Sequence, residues 1–348
     1  MSDSLVKSLA PLVESAGFDH YGFSPLKNPT SIEAYEQWLK KGYHGEMSYL
    51  ETHLPIKKNP ESHFKGLFSA IVIAKPYFPP QEQRPSSKLR VAEYAKSKDY
   101  HLTFKEELEN LRSQFTQIHP EEEFLCFTDS GPILERDLAY RAGLGWIGKN
   151  TCLIDRRKGS LFFIGEILTS LQFEEPSKRV SDFCGTCTKC LDICPTNALK
   201  PGKILDAKLC ISYLTIEAKD IPPKELRPQI SDWFFGCDLC QTVCPWNEKS
   251  NGKSLMQALT KESLSEISSE IISELREILT LSNKELMKKY VDSPLIRARG
   301  FGLKRNALIL ISNLQIKDLT SEIHFVSRQW PRLRGLCNWT LETLGSDC

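Results

Sequence analysis

The stretch Cys184-Gly-Thr-Cys187-Thr-Lys-Cys190-Leu-Asp-Ile-Cys194-Pro195 decides how the middle of this chain folds. It fits C-x2-C-x2-C-x3-C-P without a mismatch, the run that holds [4Fe–4S] clusters in pairs. Two-residue spacers wrap a tight loop whose three thiolates point at corners of one cubane. Gly185 eases that loop, because glycine enters left-handed backbone conformations at little cost. The longer spacer and the proline send the fourth thiolate to a second cubane. A shorter copy follows as Cys237-Asp-Leu-Cys240-Gln-Thr-Val-Cys244-Pro245. It has three cysteines, and Cys210 in Lys208-Leu-Cys210-Ile-Ser212 can supply the missing corner. The crossing-over rule then gives Cys184, Cys187, Cys190 and Cys244 to cluster 1, and Cys194, Cys210, Cys237 and Cys240 to cluster 2. Paired C-x2-C motifs also hold zinc, and eight thiolates would serve two zinc sites. The triple C-x2-C-x2-C and the two Cys-Pro exits favour the cubanes.

Outward from this motif, residues 174–250 are dense in Cys, Pro and Gly with little hydrophobic periodicity, the pattern of a small module held by metal rather than by an apolar core. Residues 1–173 alternate helical and strand patterns. Leu5, Leu9, Leu12 and Val13 recur at helical spacing behind a cap at Asp3 or Ser4. A short strand is expected at 20–23, a helix at 31–41 and a long amphipathic helix at 99–119. Buried strands are expected at 70–74, 123–127 and 161–167, and an exposed Pro- and Gln-rich stretch at 78–87. This is an α/β or α+β pattern. Residues 251–348 are helical again, with helices expected at 255–279, 283–290, 304–313 and 334–344. The similarity of 303–312 to 333–344 hints at a repeated helical unit. Residues 281–336 carry eleven Lys/Arg against four Asp/Glu, whereas 251–280 carry three against five.

The 348 residues have a formal net charge of +1, so any nucleic-acid surface must be a local patch. The start, MSDSLVKSLAPLVESAGFD, lacks the positive n-region, continuous apolar core and cleavage site of a signal peptide. No apolar run is long enough to span a bilayer. A cytoplasmic protein without a membrane partner is expected, with a monomer as the default state. Twelve cysteines in a reducing compartment argue for metal ligation over disulfides. The four outside the motifs, Cys126, Cys152, Cys337 and Cys348, read as small hydrophobes.

Two clusters move single electrons and do not choose a substrate. The acceptor side is expected in the segment that begins Phe127-Thr-Asp129-Ser-Gly131-Pro132. Asp129 falls at the tip of a buried strand, before a helix expected to start near Pro132. Open α/β sheets collect functional groups at such tips, while composition alone favours a plain helix-cap role for it. Gly143, Gly145 and Gly148 form a backbone-rich loop that suits either close approach of a flat cofactor or a simple turn. No GxGxxG or GxxxxGK[ST] stands between a strand and a helix, so neither a dinucleotide fold nor a P-loop is supported.

Taken in order, TDSGPILER (128–136), AYRAGLGWIGKNT (139–151), CGTCTKCLDICPTNAL (184–199), CISYLTIE (210–217) and GCDLCQTVCPWN (236–247) resemble the epoxyqueuosine reductases. These are cobalamin-dependent iron–sulfur enzymes related to the corrinoid reductive dehalogenases. The resemblance runs from AYEQWLKKGYHGEMSYL (34–50) to the C-terminal helices. It implies an α+β chain with an α/β-type cobalamin-binding domain (1–173), a ferredoxin-like 2[4Fe–4S] module (174–250) and a short HEAT-like helical segment that contacts tRNA (251–348). The implied reaction reduces epoxyqueuosine at the wobble position of a tRNA with a GUN-type anticodon to queuosine. Cob(I)alamin, formed from base-off cobalamin, would be fed by the clusters and an external low-potential donor. Asp129 stands where the family has its catalytic aspartate, as proton donor, and a covered carboxyl there should have a raised pKa. The implied cobalamin contacts are Lys57, Tyr94, Ala95, Asp129, Arg141, Trp146, Gly148, Lys149 and Asn150, together with Asp99, Tyr100 and His101. Lys57 stands near a position where relatives carry arginine. DxHxxG is absent, as for a corrinoid without a protein ligand to cobalt.

The basic C-terminal patch would meet tRNA phosphates, with Arg297, Arg299, Lys304 and Arg305 at its centre and Lys288, Lys289, Arg328, Arg332 and Arg334 around it. Trp233, Phe234 or Trp246 could stack on a splayed base. A dehalogenase-like enzyme and a 2[4Fe–4S] electron carrier are the alternatives.

Overall fold

The computed structural model describes residues 2–78, 87–176, 179–261 and 267–345. Its first part packs α1 (Ser2–Ser15), α2 (Tyr100–Ile118) and α3 (Glu135–Arg141) on a sheet of β1 (Tyr21–Pro25), β2 (Ser69–Pro76), β3 (Phe124–Phe127) and β4 (Phe162–Thr169). The strand order is β1-β2-β4-β3, and every pairing is antiparallel. The unit is therefore α+β, and the α/β-type sheet expected for it is corrected. The misleading signal was the continuous apolar run of β2, which parallel strands usually show because both of their faces are covered. Here an antiparallel sheet is covered twice. Ile71, Ile73, Cys126 and Ile167 pack with Leu9, Val13, Phe104, Leu108 and Phe115 from α1 and α2. Their neighbours Ala70, Val72, Ala74 and Leu168 pack with Ile133, Leu138 and Ala139 on the other face. That alternation is the two-residue period of a strand.

Three local expectations change. The strand β3 lies at the sheet edge, and Cys126 is its one buried residue. The helix α3 starts at Glu135 with Leu134 at its cap, so Asp129 lies in the preceding loop and caps nothing there. Phe78 and Ser87 are buried, and the residues between them lie outside the described residues, as do Cys348 and the side chains of Asp3 and Ser4. The cap of α2 is formed by Asp99, whose side chain accepts from the His101 N–H.

The cysteine loops carry single helical turns at Lys189–Asp192 and Leu239–Thr242, and Gly185 takes the left-handed φ of 49° that its loop requires. Beyond them lie Lys253–Lys261, α4 (Ser269–Thr280), Asn283–Lys289, α5 (Arg299–Asn313), α6 (Thr320–Gln329) and α7 (Arg334–Leu344). The helix expected over 255–279 is thus two helices, and α6 was not anticipated. One apolar core joins α4–α7 to Leu89, Val91, Ile211, Leu214 and Trp233–Phe235, which seats the C-terminal helices on the cysteine-bearing part. Among the described residues, no helix is long and apolar enough to cross a membrane.

Candidate active site and iron–sulfur sites

Asp129 sits in the loop after β3 with a φ of 55°, a backbone position that non-glycine residues seldom hold without support. The support comes from the start of α2. The Tyr100 hydroxyl donates to Asp129 Oδ2 at 2.6 Å. His101 Nε2 lies 3.6 Å from the same oxygen, and its Nδ1 lies 2.8 Å from Asp99 Oδ1. Tyr100 is itself fixed by stacking on Phe163 of β4, with ring centroids 4.1 Å apart. The Asp129 side chain is 62% exposed, yet protein surrounds it on most sides. It therefore lies on the floor of an open cleft.

With nothing over the carboxyl, its pKa stands on the other side of the ordinary value. Desolvation is the largest influence on Asp129 and pushes its pKa up, but hydrogen bonds from His101 and Tyr100 outweigh it and leave the carboxyl below its ordinary value. The counterpart is His101, which the hydrogen bonds to Asp129 and Asp99 raise to about 9. With the cleft open, Asp129 is an anion and His101 holds the proton. Arg297 reaches this cleft from the C-terminal part, paired to Glu217 at 2.9 Å and near enough to Asp129 for each to influence the other.

Near Asp129 lie two glutamates that sequence patterns do not single out, beside the Lys57 expected at the cofactor. Glu135, at the start of α3, and Glu166, on β4, face one another with Lys57. Lys57 is buried and donates to the Ile133 carbonyl at 2.8 Å. A glutamate inside the apolar run FFIGEILT was the available signal.

The motif cysteines have the following thiol neighbours. Cys190 faces Cys244, Cys184 and Cys187, and Cys244 faces Cys184 and Cys187. Those four thiols line a cavity of about 160 Å³. Cys237 faces Cys210 and Cys194, and Cys240 faces Cys152, Cys237 and Cys210, so Cys152 lies beside both cysteine loops. Among the described residues, no group of three or more Cys, His, Asp or Glu converges closely enough for a lone metal ion. The cluster 1 thiols border a void instead, and a shared void with four thiols fits a cubane.

Several expected cofactor contacts are engaged elsewhere. Arg141 is buried and donates to Asp137 Oδ1 and to the carbonyls of Pro25 and Lys27, so its guanidinium is a brace of the fold. Ala95 lies in the apolar core. Trp146 is buried against Phe183 and Trp246 beside Cys244. The Lys149 ammonium donates to the carbonyls of Gly185 and Cys187, and the Asn150 amide donates to that of Cys240. A Cβ on Gly148 would strike Ile154 and Asn150. The loop 146–150 is thus a seam between the sheet domain and both cluster loops. Of the expected contacts, Asp129, Tyr100 and His101 stand at the open cleft, and the Tyr94 ring lies 6.2 Å from that of Tyr100.

The tRNA patch also needs correction. Lys304 and Arg305 are both 0% exposed. Lys304 donates to the carbonyls of Ile278, Leu279 and Leu281, each at 2.7 Å, and so closes the C-terminal end of α4. Arg305 donates to the carbonyls of Ala218 and Asp220. Arg297 and Arg299 are exposed, as are Lys288, Lys289, Arg328, Arg332 and Arg334. Trp233 and Phe234 are buried, which removes them as stacking platforms, while Trp246 is half-buried beside cluster 1.

Comparison with known proteins agrees with this layout. Residues 183–247, which include all eight motif cysteines, match the 4Fe-4S double cluster binding domain family, so the cysteine module is an iron–sulfur module. Residues 57–130 match the family described as epoxyqueuosine reductase QueG. The epoxyqueuosine reductase of Pseudomonas aeruginosa is 36% identical over 314 residues, covering 89% of this chain and 85% of the relative. A solved epoxyqueuosine reductase with an epoxyqueuosine-modified tRNA-Tyr stem loop superposes with a TM-score of 0.81 at 26% identity, over 99% of this chain and 92% of the other. A Bacillus subtilis epoxyqueuosine reductase, solved with an aspartate-bearing catalytic loop swung out of the active site, gives a TM-score of 0.80 at 26% identity, over 99% and 91%. Cysteine module, sheet domain and C-terminal helices are thus all accounted for by one set of relatives, and this chain belongs to the epoxyqueuosine reductase family.

Proposed function

We propose that the reduction of epoxyqueuosine in tRNA to queuosine takes place in the cleft over Asp129, at the wobble nucleotide of a tRNA with a GUN-type anticodon. The observation that carries this is the Asp129–His101–Tyr100 cluster on the floor of an open cleft, where the Tyr100 hydroxyl donates to Asp129 Oδ2 and His101 Nε2 lies 3.6 Å from the same oxygen. Breaking an epoxide C–O bond builds charge on oxygen, and a positioned acid relieves it. Tyr100 orients Asp129 Oδ2, and His101 holds the proton while the cleft is open. A substrate covering the cleft strengthens the desolvation that already pushes the Asp129 pKa up, and so draws the proton from His101 onto Asp129.

The cofactors are two [4Fe–4S] clusters, ligated as the motif spacing assigns them, and a base-off cobalamin in the cleft. Both ring nitrogens of His101 face carboxylates, so that imidazole is not free to bind cobalt. When bound, the corrinoid supplies a low-potential reductant beside the epoxide. The exposed loop carrying Cys184–Cys190 would hold the cluster open to an external low-potential donor, and the cluster 2 cysteines stand on the side where Asp238 accepts from the Glu93 N–H next to Tyr94. Arg297 and Arg299 take tRNA phosphates at the cleft rim. The three units 1–173, 174–250 and a HEAT-like 251–348 divide these tasks in a cytoplasmic monomer.

The test is anaerobic reconstitution with iron, sulfide and cobalamin, followed by metal analysis. About eight irons and one cobalt per chain are expected. Eight irons without cobalt would remove the corrinoid and leave the clusters.

A further inference from the structure

Turning an epoxide into an alkene takes two electrons and two protons and releases water. The clusters deliver the electrons in the reading above, on which this inference rests. Asp129 and His101 hold one proton between them. A nucleobase and a cofactor over the cleft would shut out solvent, so a second proton has to come from the protein side.

We propose that Glu135 and Glu166 form a buried proton store behind Asp129 that supplies this second proton. Glu166 is 0% exposed. Both of its carboxyl oxygens, and Oε1 of Glu135, have no hydrogen-bond partner in the fold. An ionised carboxylate in that position has nothing to replace its lost hydration, whereas a protonated one does not need it. Lys57 is the cation facing both glutamates, and its ammonium is already engaged by the Ile133 carbonyl. Arg136, the other cation facing Glu135, is exposed and donates to the Thr151 carbonyl, so Lys57 alone faces Glu166 and the pair has room for a proton at neutral pH. Burial accordingly pushes the Glu135 carboxyl up to about 8, and Glu166 well above its ordinary value. The other groups facing Glu135 are Asp129, Arg136 and Tyr100, and the other group facing Glu166 is Asp129. The Glu135 carboxyl also faces the Asp129 backbone N–H, so the store adjoins the loop it serves.

The balance closes as follows. The first proton, from Asp129, goes to the epoxide oxygen as one C–O bond breaks, giving a hydroxyl. Glu135 reprotonates Asp129, and Glu166 restores Glu135. The second proton leaves with the hydroxyl as water when the other C–O bond breaks and the two electrons complete the alkene. The pair refills from solvent when product departs.

Infrared difference spectroscopy of the reconstituted holoenzyme at pH 7, in H2O and D2O, reads the store directly. A protonated-carboxyl C=O band that shifts in D2O is expected, lost in Glu166→Gln and weakened in Glu135→Gln, with the circular dichroism of both variants unchanged. In turnover on an epoxyqueuosine stem loop, Glu135→Gln should lower kcat at least tenfold at unchanged KM and remove an alkaline limb near pH 8. Absence of the band in the unmodified holoenzyme overturns the proposal. So does a Glu135→Gln enzyme with the unmodified rate and pH profile. A holoenzyme that shows the band yet converts no epoxide overturns the functional reading and leaves the protonated pair standing, which separates the two failures.

Discussion

Replacing Lys304 with Met separates a structural lysine from an RNA-binding one. The ammonium makes three hydrogen bonds of 2.7 Å to the carbonyls of Ile278, Leu279 and Leu281 at complete burial. Carbonyls at the end of α4 lack intrahelical partners, so Lys304 is their substitute for water. Methionine keeps the aliphatic stem and removes the donor. Each stranded carbonyl costs about 1–3 kcal/mol. Relief from burying an ammonium offsets part of this, leaving a net loss of roughly 3 kcal/mol. Urea unfolding followed by far-ultraviolet circular dichroism should show a lower midpoint with an unchanged slope. Affinity of the folded variant for the stem loop should stay within about twofold, an energy near 0.4 kcal/mol. Unchanged stability with lost binding would refute the buried placement and return Lys304 to the RNA surface.

Arg297→Gln should weaken stem-loop binding and lower the salt slope by about 1, measured by fluorescence anisotropy across salt concentrations; an unchanged slope excludes Arg297 from phosphate contact. The His101 imidazole should titrate near 9 by NMR and fall toward 6.5 in Asp129→Asn. Because its folded pKa lies above the unfolded value, the stability it contributes is complete below about pH 6.5 and is lost as pH rises through about 9. A midpoint that ignores the Asp129 change would break the pairing. Cys210→Ala should drop the iron content from about eight to about four per chain, and full retention would dismiss Cys210 as a cluster ligand.

The cluster cysteines were legible because ligand spacing is local chemistry: a few residues of backbone fix where each thiolate points. Asp129 was visible as a polar residue beyond an apolar strand, although the residues that set its charge, Tyr100 and His101, come from another element. Tertiary burial was what the sequence concealed. Lys304 and Arg305 precede the apolar run 307–311 in α5, and only the approach of the α4 end and of the Ala218–Asp220 backbone turns them from surface cations into internal braces. Arg141 is the same case, and the Lys149 and Asn150 side chains donate to carbonyls of the neighbouring cysteine loops. The sheet direction was hidden because helices on both faces gave antiparallel strands the composition of parallel ones.

The most direct measurement is conversion of an epoxyqueuosine-modified tRNA stem loop by the reconstituted chain, read by mass spectrometry of the released nucleoside, with Asp129→Asn in parallel. Queuosine should form with the unmodified chain, and Asp129→Asn should bind the stem loop equally well but lose turnover by at least a hundredfold, within the range that general acid catalysis contributes. Full conversion by Asp129→Asn would contradict the role given to the cleft, and no conversion by a chain that holds its iron and cobalt would contradict the reaction itself.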